Sequence, residues 1–464
     1  MQDIFIGDCS LKVDSKDSKF NIVCYMVIGL FFFGIALTCS YGMYGDSGHF
    51  VEMHMFREPV YPLFLWIFRS ILGKETYLSV VAWAQNIINA ICAIVFLRGM
   101  YRKYGLRKIV MAAGTLAMLM PHIMTPLFSN THLVLSCAIL GEAICLPLFY
   151  LYLMELIFYG TEGNRKDMIL SALLGLIISL IRGSMMICLI AWALVAIVRA
   201  FYEKRKLYVP AIFLVALFVL LKCRSGLYVA YNYAFNGVAE ANMCGNMNLV
   251  TNILYASDRE AGELIEDETT RGIFYEIYDK ADADGLTYKH ADSGFYSMIN
   301  HLENTHDRLK FDYILQTEQD YYYANVGNDY LERNRYQEEM CRTIAHAIWP
   351  ACFGRWLIRY IGLSINGAVR SVAVVTPLTV IPAFIMILCS LAMSIYCLVK
   401  KKHVKLSLAL LITLMMLAAN ACGTATVIMC ISRYMIYCFA PFYITFSALL
   451  IECFIDWRKK KNEL

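Results

Sequence analysis

The sequence predicts an all-α polytopic membrane protein of about ten transmembrane helices, with one exterior soluble domain between the seventh and eighth. Three observations predict it. Of 464 residues, 59% are hydrophobic and only 17% charged. Several apolar runs exceed the ~18 residues that mark a spanning helix. The charge is also partitioned: Gly226 to Pro350 holds 21 Asp and Glu against 9 Lys and Arg, a net of −12 that leaves +16 on the rest of the chain.

In chain order, the apolar runs place spans at roughly 20–43, 76–98, 108–128, 133–158, 168–181, 184–200, 208–224, 371–399, 404–424 and 431–454. The first follows a mixed-charge tail with no small-residue cleavage site, so it reads as a retained helix rather than a signal peptide. The connectors "RGMYRKYGLRK", "GNRKD", "EKRK" and "KKKH" and the terminal "RKKK" are basic, which puts them, and both termini, in the cytoplasm.

That parity decides two ambiguous runs. Pro59 to Gly73 contains Arg69 and is short for a span, and a crossing there would move the basic loop after Leu97 outside; it reads as a re-entrant or interfacial segment. Met168 to Ala200 carries basic loops at both ends, so it reads as a hairpin bent at Arg182-Gly183.

The organisation expected is a transmembrane module at 1–224 with its first external loop at 44–75, an exterior acidic domain at 225–355, and C-terminal transmembrane helices at 356–464. The exterior segment is rich in Tyr, Asn and Asp, yet aromatic and aliphatic residues recur throughout, so it can hold a small core. Its acidity excludes a nucleic-acid partner there. Most of the 17 Cys fall inside spans, as small apolar residues; Cys244 and Cys341 bracket the soluble segment and are candidates to pair in an oxidising compartment.

Chemistry concentrates in "YGDSGHFVEMHMFREPVYPLFL", from Tyr44 to Leu65, where ionisable groups sit between two apolar runs. Charges at the edge of a helix bundle cost energy unless paired, hydrated or at work. Asp46 follows the first helix on a short tether, behind a Gly, and is held at the membrane surface. Glu52 and His54 read as loop residues. Arg57, Arg182 and Arg433 fall near exterior ends of spans, where a phosphate would lie, or where helix-end snorkelling or an ion pair with Glu58 or Glu142 would place them. Glu142 is an intramembrane carboxylate beside a Gly, either functional or simply paired with Arg182. Pro121, His122 and Pro126 suggest a broken neighbouring helix.

The stretch resembles the first external loop of the GT-C superfamily of membrane glycosyltransferases, especially the protein O-mannosyltransferase and aminoarabinose-transferase branch. Those proteins carry an Asp after the first helix and then an "R-x-P-x-Y-P" element, here Arg57, Pro59, Tyr61 and Pro62. "GEAICLPLFYLYL" is similar to their Glu-led fourth helix through Glu142, and "SRYMIYCFAP" to their late "R-Y…P" signature through Arg433, Tyr434 and Pro441. Where many relatives have a Tyr shortly after the Asp, this chain has "SGHF".

The resemblance implies a GT-C-like fold whose N-terminal module is catalytic. It implies transfer of a sugar, with inversion, from a polyprenyl-phosphate-linked donor to a lipid, glycan or protein acceptor on the exterior face of a bacterial plasma membrane. Asp46 would be the general base, Arg57, Tyr61, Arg182, Arg433 and Tyr434 would bind donor phosphate or substrate, and His49, Glu58 and Glu142 would support them. No cofactor is required; a divalent cation bridging Asp46, His49 and the donor phosphate is the alternative. A flippase, transporter or glycan polymerase handling the same lipids would favour paired midplane charges and repeated halves. A scaffold presenting the acidic domain leaves Asp46 and the arginines idle. Charges clustered at one face, without a repeat, favour the transferase.

Overall fold

The computed structural model describes residues 18–128, 132–241, 245–373 and 377–463. Among them there are helices, turns and short extended links, with one isolated bridge between Gly42 and Ala138. They form two compact units, residues 1–236 with 369–419 and 435–464, and residues 237–368 with 420–434.

The first unit opens with α1 (Lys19–Thr38), α2 (Ser47–Val51), α3 (Val60–Leu72), α4 (Tyr77–Tyr104), α5 (Lys108–Phe128), α6 (Glu142–Glu162), α7 (Arg165–Ser179), α8 (Ile187–Tyr202) and α9 (Tyr208–Asn236). The second contains α10 (Gly245–Tyr255), α11 (Glu268–Ala283), α12 (Phe295–Arg308), α13 (Gln316–Asn325) and nearly all of α14 (Tyr330–Arg370). The chain then continues through α15 (Pro377–Val399), α16 (Val404–Val427), α17 (Ser432–Met435) and α18 (Phe439–Glu463). The end of α16 and most of α17 belong to the second unit.

Among the described residues, nine helices are long and apolar enough to cross a membrane: α1, α4, α5, α6, α8 taken with the turn before it (Gly183–Tyr202), α9, α15, α16 and α18. The chain is a multi-pass integral membrane protein. Exposed Leu30, Ile87, Ile91, Ile212 and Phe218 on these helices are the surface expected to meet lipid. The run expected to be a tenth span, 168–181, lies in α7 and the turn after it. At 15 residues, with Arg165, Lys166 and Asp167 in its first turn, α7 covers only ~22 Å of a ~30 Å hydrocarbon layer.

The helix does break at Arg182-Gly183. It ends at Ser179, Arg182 is extended, and a 3-10 turn over Gly183–Met186 leads into α8. The indole of Trp192 on α8 donates to the Met168 carbonyl on α7 (3.0 Å), and Arg199 at the far end of α8 donates to Gly160 (3.2 Å) at the end of α6. Those contacts run α8 back along α7.

Four other boundaries differ from the sequence reading. First, α1 stops at Thr38. Second, α5 runs unbroken through Pro121 and Pro126, with His122 buried edge-on against Phe32 (4.8 Å), so the expected broken helix is not seen. Third, α9 continues twelve residues past 224 to Asn236, so the expected domain boundary at 225 falls inside a helix.

Fourth, residues 133–141, expected to be helical, form a largely buried irregular segment, and α6 begins only at Glu142. Backbone polar groups at membrane depth need internal partners. Here α4 supplies them from Gln85, Asn86 and Asn89. Gln85 Nε2 donates to the carbonyls of Ser136 and Ala138 (3.1 Å each), Asn86 Nδ2 to Ser136 (3.5 Å), and Asn89 Nδ2 to Ala143 (2.9 Å). Gly42 closes the rest, donating to Cys137 and accepting from Ile139.

The second unit has its own core, including Leu254, Phe274, Ile277, Leu302, Leu309 and Ile348. A π-helical turn over Leu309–Leu315 joins α12 to α13. Cys341 is buried there with its thiol donating to Glu318 Oε1 (3.1 Å), while Cys244, its candidate partner, lies outside the described residues.

Candidate functional site

The link after α1 turns through Tyr44 and Ser47, whose backbone and hydroxyl bond each other at 2.8 Å, and starts α2 with Asp46 at its N-cap. In this short helix Asp46 and His49 stand three residues apart and share a face. Arg57 closes on both, its Nη2 donating to Asp46 Oδ1 (2.6 Å) and to His49 Nδ1 (3.0 Å). The guanidinium lies over the Phe50 ring (5.0 Å), Phe50 packs edge-on against Tyr61 (5.1 Å), and the Tyr61 hydroxyl donates to Gln85 Oε1 (2.7 Å). Tyr61 is fully buried. One continuous stack therefore runs from the α4 amide through two rings to the arginine beside Asp46.

Burial, and then the nearby Arg57, lower the pKa of His49; burial, His49 and Arg57 do the same for His54, stacked on it at 5.0 Å. Both imidazoles are neutral at pH 7, and His49 accepts from Arg57 rather than repelling it.

The second half of the loop is fixed from α9. Met53 has φ +56°, an unusual backbone for a residue with a side chain, and is held there by its neighbours. Asn236 Nδ2 donates to the Met53 carbonyl (3.2 Å), while Tyr228 Oη and Asn232 Nδ2 both donate to Met55 (3.3 and 3.2 Å). These residues lie four apart on one stripe of α9, and Arg224 is the next position along it. Arg224 Nε donates to the Ser179 carbonyl (3.2 Å).

Glu58 then enters a basic niche. Its carboxylate rests directly on Gly183, where a Cβ would collide with Oε1, and the end of Arg224 reaches the same spot. Burial pushes the Glu58 carboxyl up, against the opposing pull of Arg224, Arg57 and Arg182. Arg182 pairs with Glu142 Oε1 (2.5 Å) across the start of α6 and donates to Ser184 Oγ (3.0 Å). The amide of Val60 donates to the Leu180 carbonyl (3.0 Å), locking the loop to the α7–α8 turn.

Asp46, His49, Arg57, Glu58, Tyr61, Glu142, Arg182 and Arg224 thus come together in the first unit, with three carboxylates facing three guanidiniums. Arg433 and Tyr434 lie in the second unit, where Arg433 Nη2 donates to the Tyr434 hydroxyl (2.8 Å) and Asn420 holds the Tyr434 carbonyl (2.9 Å). Among the described residues no three His, Cys, Asp or Glu side chains are grouped to hold a metal ion.

Sequence reasoning missed Arg224, the Tyr228, Asn232 and Asn236 stripe, and Gln85. Their signal was present as polar residues at intervals of four in "RSGLYVAYNYAFN", and as the polar face of "AQNIIN" inside a span. No protein-family model matches this chain, and no curated protein or solved structure matches it.

Proposed function

We propose that the chain is a membrane glycosyltransferase that moves a sugar from a polyprenyl-phosphate-linked donor to an acceptor on the exterior face, with Asp46 as general base. The observation that supports the reading best is the meeting of Asp46 with Arg57, beside a niche where Arg182 and Arg224 converge on Glu58.

A donor of this class keeps its tail in the bilayer and its phosphate and sugar at the surface, so the catalyst must work at that depth. Arginine suits two-point phosphate contact, and the departing phosphate gains charge in the transition state, where fixed guanidiniums lower the barrier. In the resting arrangement carboxylates occupy those guanidiniums. An incoming phosphate competes for Arg57, and its transfer from Asp46 to the phosphate exposes a carboxylate able to take the acceptor's proton. Neutral His49 holds Arg57 from its other side without adding charge. Glu142 keeps Arg182 turned into the niche. Single displacement with inversion needs no covalent nucleophile, and the proposal requires no metal.

The test is release of polyprenyl phosphate from a panel of polyprenyl-phosphate sugars by purified protein supplied with acceptor candidates. Turnover with one donor class supports the reading. Failure with every donor, by a protein that folds and binds those lipids, would favour a flippase, transporter or polymerase.

A further inference from the structure

One surface of the second unit is unlike the rest of it. On the second half of α14, Trp349, Phe353, Leu357, Ile361 and Ile365 recur at strict intervals of four, and each is 37–44% exposed. Residues four apart form a continuous ridge on a helix, and this ridge carries no charge. Ile358 widens it at 50% exposure.

The opposite face of the same helix is fully engaged within the unit. Arg355 donates to the Ala256 carbonyl (2.7 Å) and pairs with Asp258. Cys352 and Leu363 are buried. Arg359, also buried, lies over Trp356 (5.5 Å) and donates to the Ala425 carbonyl (3.4 Å), and Gly367 packs on Cys430 and Ala421.

Those last contacts give the ridge its depth. Ala421 and Ala425 lie in the final turns of α16, a helix long and apolar enough to span the membrane, which ends at Val427. Arg359 meets α16 at Ala425 and Gly367 meets it at Ala421, so about 12 Å of advance along α14 corresponds to about 6 Å of travel back along the span. The helix therefore slants from the end of a span toward the bilayer interior. Its side chains are graded accordingly, with Trp349 and Phe353 at the shallow end and Leu357, Ile361 and Ile365 at the deep end. Aromatic rings favour the headgroup level and aliphatic chains the hydrocarbon below it.

We propose that residues 349–365 of α14 lie obliquely in the membrane interface, with this ridge buried in lipid. The occupant is the bilayer, because the helix that carries the ridge packs by its opposite face on the end of a membrane span in the same unit, and the ridge itself is uncharged over four turns. The helix anchors the second unit to the membrane by a surface separate from the spans. This inference is independent of the glycosyltransferase reading.

The test places the full-length protein in lipid nanodiscs containing a phospholipid with a photoactivatable diazirine on its acyl chain, and maps the adducts by peptide mass spectrometry. The expected result is adducts across 349–365 at yields comparable with those on the exposed face of α15, which includes Ile381, Ile385 and Leu388. The double variant Leu357→Glu with Ile361→Glu should lose the 349–365 adducts and keep those on α15. Labelled spans with an unlabelled 349–365 in the wild type would overturn the proposal even if the variant fails to fold. So would covalent crosslinks joining 349–365 of two copies in place of lipid adducts, which would make the ridge a protein interface.

Discussion

The change Asp46→Asn separates chemistry from folding. Asn keeps the size of the side chain and an oxygen for Arg57 but has no carboxylate to accept a proton. The Asp46 and Arg57 side chains are 44% and 21% exposed, so their 2.6 Å pair is partly screened by solvent and contributes at most about 1 kcal/mol to stability. In a chain of this length that moves the thermal midpoint by no more than about 2–4 °C. Loss of a general base lowers turnover by roughly 10²–10⁴-fold, about 3–5 kcal/mol in the barrier. The assay follows polyprenyl phosphate release in nanodiscs, with thermal unfolding recorded on the same preparation. A variant that unfolds with the wild type and turns over at the wild-type rate would remove Asp46 from the mechanism.

Other expectations follow from the same geometry. Arg224→Met retains an apolar stem but removes a guanidinium from the Glu58 niche; if Arg224 meets donor phosphate, the loss of a charge-assisted hydrogen bond costs roughly 10–100-fold in kcat/KM for the donor. Gly183→Ala places a methyl group where the Glu58 carboxylate lies and should lower turnover more than stability, read by comparing kcat with the thermal midpoint. Asn232→Leu removes one of the two donors to the Met55 carbonyl and should cost about 1 kcal/mol of stability, measured as a lowered midpoint. In the second unit, burial holds the Glu318 carboxyl well above its usual value of 4.5, with Cys341, Glu338 and Arg333 facing it. The folded state therefore keeps a proton that the unfolded state releases above that value, and stability falls as pH rises from 4.5 through the folded value. Glu318→Gln should flatten that slope and raise the midpoint at neutral pH; an unchanged slope would show that Glu318 is not its source.

The spans were legible because a hydrocarbon layer imposes length and composition directly on sequence. The break at Arg182-Gly183 was expected from basic loops at both ends of one apolar run, and the helix does end there. Residues 133–141 were misread because "LVLSCAIL" is as apolar as a helix. What keeps that segment irregular is elsewhere in the chain, in the amides of Gln85, Asn86 and Asn89. The same limit applies to the site. The loop announced Asp46 and Arg57 by their chemistry, but their meeting depends on Phe50, Tyr61 and an α9 stripe reaching Met53 and Met55 from more than 170 residues away. Pairing across the fold leaves no local periodicity to read. For Glu142 and Arg182, sequence left open a functional role or a mutual pair; the structure pairs them, and a pair can still present its arginine to a ligand.

That α9 stripe also limits how the gene can vary. Arg224, Tyr228, Asn232 and Asn236 address four points on one rigid surface, so their phase around the helix matters as much as their identity. Adding or deleting one residue between them turns everything beyond by about 100° and points the amides away from the loop. Apolar substitutions elsewhere on this helix, exposed over much of its first half, should be accepted, whereas length changes after Arg224 should be rejected, since even an insertion of about eleven residues, which restores phase, carries the amides about 16 Å along the axis. The length of α9 past its apolar run is thus set by the loop it grips rather than by the thickness of the bilayer.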